Sequence, residues 1–220
     1  MSRNPRIVII GAGGQAKIYT EIIELLNENL IGYVSSEPKG TIINGYEVLC
    51  DIDTFVSSNN SIKADALIVS IGDNIIRNDI YLKLNKLGLK NINLIHPKAI
   101  VSDKAKLGEG IYIGAGAVIS PGTCIGDFST IGVNASVEHD SIIGCSVNIA
   151  PGVNIAGKVK FGDFSVAGIG STIIEKVNIG SYSILGAGST AISDVPNDVV
   201  AYGLPAKPMQ NRDKSKTYLK

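Results

Sequence analysis

The chain has two histidines, His96 and His139, and only the second has neighbours that suggest chemistry. It lies in Val137-Glu138-His139-Asp140, with a carboxylate on each side. Imidazole changes charge near neutrality, so this setting suits general acid–base work. A surface histidine hydrogen-bonded to its neighbour would have the same sequence, and residue types leave both readings open. A second candidate is Gly11-Ala12-Gly13-Gly14, which ends an aliphatic run and opens a helical pattern. Glycines there let a phosphate approach the backbone, and a helix N-terminus favours negative charge. A dinucleotide site would place an acidic residue at the end of the second strand. Ser35 and Ser36 stand there instead. Gly72-Asp73-Asn74 is a third candidate, readable as a binding turn or as a simple helix cap. Cys50, Cys124 and Cys145 form no C-x-x-C pair, so they read as reduced thiols of a cytoplasmic protein rather than redox or metal ligands.

The elements that must hold these residues fall into two patterns. Over residues 1–95, strands at 6–10, 31–35, 64–71 and 91–95 alternate with helical stretches. The first helix has Ile18, Ile22, Ile23, Leu25 and Leu26 as its apolar stripe. Residues 40–49 read as a hairpin or extended excursion, 51–57 as a short helix, and 75–87 as a helix ended by Gly88. The run 64–71 is almost wholly apolar, as a parallel strand covered on both faces requires. This alternation makes a small Rossmann-like α/β unit. Residues 96–100 form a short linker.

From Val101 the pattern changes. Every sixth residue is aliphatic or apolar, through Leu107, Ile113, Ile119 and Ile125 to Leu185 and Ala191, with no break in register. A glycine often follows directly, as at Gly108, Gly126, Gly144 and Gly162. Four places after each aliphatic position sits a small or β-branched residue, such as Ala117, Thr123, Ser129 or Ser141. A helix repeats near 3.6 and a flat strand at 2, so a strict six is the hexapeptide period of a parallel β-helix. The apolar and small residues point inward, and the glycine is expected to let the chain bend at each corner. One coil cannot bury its own apolar face, so coils stack around a shared core over residues 101–208. The repeat fails after Ala191, residues 199–202 close the stack, and 209–220 are expected to be a solvated, frayed tail.

Composition excludes several classes. Lys+Arg and Asp+Glu balance at 20 each, which gives no net drive toward nucleic acid or anionic membrane. Aromatics are 5% and tryptophan is absent, so base-stacking platforms are not expected. No apolar run reaches the length of a membrane span, and Met1 to Pro5 lacks a signal-peptide core.

The Gly-rich α/β segment, the Ile71-Gly72-Asp73-Asn74 turn, the Ile95-His96-Pro97 linker, the unbroken hexapeptides with one histidine and the closing Gly203-Leu204-Pro205-Ala206-Lys207 occur together. In this combination the chain resembles the sugar O-acyltransferases and sialic acid O-acetyltransferases of the left-handed β-helix group. Within that group it looks most like the nucleotide-linked 4-amino-sugar N-acetyltransferases. The resemblance covers residues 6 to about 208. It implies an α/β Rossmann-like domain followed by a left-handed parallel β-helix, a homotrimer, and acetyl-CoA bound between neighbouring coils. A coil of about 18 residues then puts Gly157 one level above His139. By the resemblance His139 is the general base, Asp140 orients it, and the Gly157 N–H holds the developing oxyanion. Gly13, Gly14, Gln15, Ser35, Ser36, Gly72 and Asp73 would line the sugar-nucleotide pocket, with Asn74 and Arg77 nearby. Asn148, Ile169 and Ala187 would contact acetyl-CoA as successive outward positions, with Lys207 reaching its phosphates. No metal is implied.

Two departures from the family pattern bear on the acceptor. Gln15 replaces a common histidine and cannot ionise. Gly132 stands where relatives often carry asparagine, so either Asn134 takes over positioning of the acceptor amine or that contact is missing. The expected function is acetyl transfer to a nucleotide-linked amino sugar in surface polysaccharide or glycan biosynthesis. O-acetylation of sialic acid or another sugar is the alternative, and a non-catalytic sugar-binding scaffold a remote one. A zinc carbonic anhydrase on the same fold would need three histidines, and the chain has two.

Overall fold

The computed structural model describes residues 4–58 and 61–218. The chain divides into two compact units, Met1–Pro97 and Lys98–Lys220.

In the first unit, β1 (Arg6–Ile10), β2 (Asn29–Val34), β3 (Ile42–Ile43), β4 (Tyr46–Cys50), β5 (Ala66–Val69) and β6 (Lys90–Asn91) form one sheet in the order β3-β4-β2-β1-β5-β6. β1 runs parallel to β2 on one side and to β5 on the other. All four residues of β5 are buried, as its unbroken apolar run demands. The helices are α1 (Gly14–Leu25), α2 (Ile52–Ser57) and α3 (Asn74–Leu84). α1 buries Ala16, Tyr19, Thr20, Ile22 and Ile23, whereas Ile18, Leu25 and Leu26 are exposed. Its inward face is therefore rotated from the expected aliphatic stripe. Tyr19 and Thr20 are inward because their hydroxyls find partners. Gln15 Nε2 donates to the Tyr19 hydroxyl at 2.9 Å, and Thr20 Oγ1 donates to Ala16 O at 2.9 Å. A polar atom that is satisfied can be buried without a penalty.

The second unit is a stack of two-residue strands on three faces. The first face runs through Ile100–Val101, Val118–Ile119, Ser136–Val137, Asn154–Ile155, Thr172–Ile173 and Thr190–Ala191. The second runs from Lys106–Leu107 through Ile142–Ile143 to Asn178–Ile179, and the third includes Thr130–Ile131, Asn148–Ile149 and Val166–Ala167. Each strand pairs in parallel with the strand three hexapeptides on, so that Ser136 meets Asn154 and Cys124 meets Ile142. The aliphatic positions from Ile113 to Ala191 are buried, as are the small ones. The small residues also serve the backbone. Ser129 Oγ donates to Gly144 O at 2.8 Å and accepts from Val147 N at 3.0 Å. Ser141 does the same two-thirds of a coil further on, with Ala156 O and Val159 N.

The corner glycines work differently from the expectation. Positive φ falls three residues after each aliphatic position, at Gly116, Gly122, Phe128, Asn134, Asp140, Ser146, Gly152 and Lys158 among others. The glycine directly after the aliphatic residue has no such φ. It is there because the next coil lies on top of it. A Cβ on Gly126 would meet Gly144 C at 2.6 Å and Cys145 N at 2.7 Å, both backbone atoms that cannot step aside. This crowding occurs at two corners of the three. The corner after the first face carries Ser102, Ser120, Glu138, Ala156, Ile174 and Ile192 at the same position.

Residues 209–218 are not a frayed end. Val199–Gly203 continues the third face parallel to Ile184–Leu185 and pairs antiparallel with Ala206–Asn211. Arg212 is buried, and its Nη1 donates to Phe164 O at 2.8 Å and Tyr182 O at 2.9 Å. The Phe164 and Tyr182 rings stack with centroids 4.7 Å apart, and Lys214 Nζ sits 4.0 Å from the Tyr182 centroid. Charges that suggested solvation instead fasten the segment to the coils, because carbonyls at left-handed corners and a ring face offer them partners.

Two stability outcomes follow from these contacts. Gly126→Ala should cost about 1–3 kcal/mol by overpacking, read as a lowered thermal midpoint. Arg212→Ala should cost about 2–3 kcal/mol, the worth of hydrogen bonds from a charged donor, with faster proteolysis of the C-terminal segment. An unchanged melt for either would contradict the packing described.

Candidate active site

His139 stands at the corner between the first and second faces. Asp140 follows in the left-handed region, at φ +58°, which turns its carboxylate back along the chain. Asp140 Oδ2 lies 2.9 Å from His139 Nδ1, and the two side chains are 56% and 57% exposed. A carboxylate can only accept, so Nδ1 carries the proton, and in the neutral ring Nε2 then keeps its lone pair. Nε2 is directed at the coil above. A Cβ on Gly157 would lie 2.6 Å from Nε2 and 2.8 Å from Cε1, so glycine there makes the seat for the ring. Gly157 itself is buried.

The Gly157 N–H is the second element of the site. Residues two places after the aliphatic position present an N–H that strand pairing does not use. At the corner between the second and third faces, side chains from the coil above close three of these groups. Glu109 N donates to Asp127 Oδ1, Cys145 N to Asp163 Oδ1 and Ser181 N to Asn197 Oδ1, each at 2.8 Å. Above Gly157 the matching residue is Glu175, whose exposed carboxylate pairs with Lys176 Nζ at 3.2 Å. Among the described residues the Gly157 N–H meets no acceptor. A basic nitrogen beside an uncommitted donor can take a proton from a nucleophile while stabilising an oxyanion formed on the group attacked.

A feature not anticipated from the sequence is the treatment of Glu138. Its Oε2 accepts from Ser120 Oγ, one coil below, at 3.0 Å. The two carboxylates beside His139 are thus sorted, Asp140 to the imidazole and Glu138 to the coil beneath. The coil repeat carries a signal for this, since Ser120 precedes Glu138 by one full turn of the stack.

In the first unit, the loops after β1, β2 and β5 gather at the carboxyl ends of the strands. β1 is where the strand order reverses, and such a switch point opens a crevice. Gly11, at φ +96°, is required by the fold, since a Cβ would also meet Ile71 Cδ1 at 2.7 Å. Gly13 and Gly14 are different. Neither has positive φ, and a Cβ on either would touch nothing within 4 Å. The ledge at the start of α1 is bare without any internal packing to require it. Ser35 is buried and its Oγ accepts from Glu37 N at 3.2 Å, while Ser36 is exposed. Gln15 already donates to Tyr19. Asp73 is buried and caps α3, its Oδ1 accepting from Ile75 N at 3.0 Å and Ile76 N at 3.1 Å. Arg77 is buried with Nη1 on Ile71 O and Gly72 O. The cap reading of this turn is therefore realised, and Arg77 holds the turn together.

The remaining residues separate by face. Asn134, Ile169 and Ala187 are exposed at the corner between the third and first faces, across the first face from His139. Asn148 is not part of that row, contrary to expectation. It lies on the third face, buried, with Oδ1 accepting from Thr130 Oγ1 at 2.8 Å and its amide donating to the Tyr218 hydroxyl. The folded-back C-terminal segment is what covers it. Lys207 is exposed on Ala206–Asn211.

Comparison with known proteins agrees with this arrangement. Residues 6–84 match the PglD N-terminal domain family. The chain is 34% identical over 111 residues to the UDP-N-acetylbacillosamine N-acetyltransferase of Bacillus subtilis, a match covering 50% of this chain and 51% of that protein. The chain thus spans about half the length of the curated relatives it matches. Among solved structures, a variant of GDP-perosamine N-acetyltransferase from Caulobacter crescentus, in complex with CoA and GDP-perosamine, superposes with a TM-score of 0.89 at 34% identity. That match covers 94% of this chain and 97% of the other. The acetyltransferase domain of PglB from Neisseria gonorrhoeae, in complex with acetyl coenzyme A, gives a TM-score of 0.88 at 31% identity, covering 94% and 100%. With this identity sustained along nearly the whole of both chains, the protein belongs to the PglD-like sugar N-acetyltransferase family of hexapeptide-repeat proteins, an α/β Rossmann-like unit followed by a parallel β-helix.

Proposed function

We propose that this protein transfers the acetyl group of acetyl-CoA to the amino group of a nucleotide-linked 4-amino-4,6-dideoxy sugar. The observation that carries the reading is the seat of His139 Nε2 against Gly157, whose N–H has no acceptor among the described residues. As the amine attacks the thioester carbonyl, a C–N bond forms and Nε2 takes the amine proton. The carbonyl oxygen becomes an oxyanion held by the Gly157 N–H. Collapse breaks the C–S bond, and the departing CoA thiolate takes the proton back from the imidazolium. Asp140 holds the ring in the tautomer this needs. No covalent enzyme intermediate is required, because the thioester is already activated.

The bare ledge at Gly13 and Gly14, with Ser35, Ser36, Gly72 and Asp73 around the switch point, supports a diphosphate-linked sugar as the acceptor. Asn134, Ile169 and Ala187 lie on the opposite edge of the first face from His139. That separation supports sites completed between subunits of a homotrimer, with one copy giving the base and its neighbour the acetyl-CoA groove. A cytoplasmic location and a role in surface polysaccharide or glycan synthesis belong to the same reading. O-acetylation of sialic acid uses the same machinery, but a hydroxyl is the weaker nucleophile and asks more of the base.

His139→Ala should lower turnover at least ~100-fold, the usual share of a general base, with the fold intact by circular dichroism. Gly157→Ala should cost a similar factor, because its methyl would lie 2.6 Å from the ring nitrogen and displace the ring. A UDP-, dTDP- or GDP-amino sugar at saturating concentration should raise the melting temperature. Turnover of sialic acid alone, or full activity in His139→Ala, would overturn this function.

A further inference from the structure

Two carboxylates flank one imidazole, yet only Asp140 reaches it. The coil beneath explains the selection. Ser120-Pro121-Gly122 lies one level below Glu138-His139-Asp140, residue under residue. Ser120 Oγ donates to Glu138 Oε2 at 3.0 Å, drawing that carboxylate away from the ring. Pro121 O accepts the Asp140 N–H at 3.2 Å and so holds the corner at which Asp140 turns back. Gly122 leaves the space in which the Asp140 carboxylate lies. A Cβ on Gly122 would come 2.6 Å from Asp140 Oδ1, while the next atoms are Asp140 N at 3.5 Å and Cγ at 3.6 Å. The only group such a methyl would strike is the mobile end of Asp140. The fold would survive by rotating that carboxylate, and the contact with Nδ1 would be lost.

We propose that Ser120, Pro121 and Gly122 form a positioning cradle that assigns Asp140, and not Glu138, to His139, with Gly122 the residue on which the assignment depends. None of the three touches substrate, and each acts through a carboxylate of the coil above. This inference rests on the reading of His139 as the general base. It distinguishes Gly122 from Gly126, Gly132 and Gly168, where an added Cβ would strike backbone of the next coil. Gly122 makes room for the side chain that orients His139.

The test is a double-mutant cycle between position 122 and Asp140, with kcat, KM for acetyl-CoA and melting temperature measured for each variant. Gly122→Ala carries the cost of a left-handed backbone, at φ +77°. Gly122→Asn tolerates that conformation and still brings a Cβ, so it keeps the test open if the alanine variant folds poorly. Each should lower kcat about 10-fold, a part of the general-base contribution, with KM within about two-fold of the parent. In an Asp140→Ala background neither should lower kcat further, since the two changes act through one contact. Multiplicative losses in the double variants, or parental kcat in Gly122→Asn, would overturn the cradle. His139→Ala run alongside separates the two claims, because activity retained there removes the base itself and not only its support.

Discussion

The register of stacked coils is the constraint from which the site is built. Backbone hydrogen bonds tie each strand to the one three hexapeptides away, and a parallel ladder holds neighbours about 4.8 Å apart. Once that pairing is set, a residue's vertical neighbours are fixed along with its own place. His139 receives a base-accepting space above, at Gly157, and a sorted pair of carboxylates beside it, because residues one coil away stand directly over or under it. A one-residue slip would turn every inward side chain outward, so the buried column from Ile113 to Ala191 enforces the geometry of the site.

The three corners share a backbone and differ in what they do with it. Where the second face meets the third, Asp127, Asp163 and Asn197 reach down and close the N–H groups of the coil beneath. Where the first face meets the second, Glu175 turns to Lys176 and the Gly157 N–H is left for another partner. Satisfying turn donors with side chains stabilises the stack, and the Gly157 level forgoes that stabilisation. Active sites commonly keep such polar groups uncommitted while the surrounding frame supplies the rigidity. The exposed imidazole and the buried glycine above it are held by that frame, not by packing of their own.

Much of the architecture was legible because it repeats. The six-residue period set the β-helix and its inward positions, the family resemblance set the level of Gly157 relative to His139, and the strand–helix alternation set the first unit. What escaped were features decided by single atoms. Hydropathy placed Ile18 and Leu25 inward on α1, but the satisfied hydroxyls of Tyr19 and Thr20 took those positions. Glycine was read as a bending residue, whereas at Gly126 it answers the approach of the next coil, which no local pattern reports. The basic end of the chain looked solvated, since nothing nearby in sequence shows that Phe164 and Tyr182 would offer Arg212 their carbonyls across the stack. The same distant fold-back buried Asn148. The pairing of Ser120 with Glu138 was available in the repeat but needed the vertical neighbour, not the adjacent one, to be read.

The corner that carries His139 is also the one free of glycine after its aliphatic residues. At Gly126 or Gly168 the overlying backbone crowds any side chain, so a change at those levels strains the stack. Along Ser120, Glu138, Ala156, Ile174 and Ile192 no such prohibition operates, and the identities already range from acid to branched aliphatic. Substitutions in the column flanking His139 therefore meet no backbone obstacle of that kind. The tower has here a strip of adjustable wall, where side chains can be exchanged without disturbing the courses above and below.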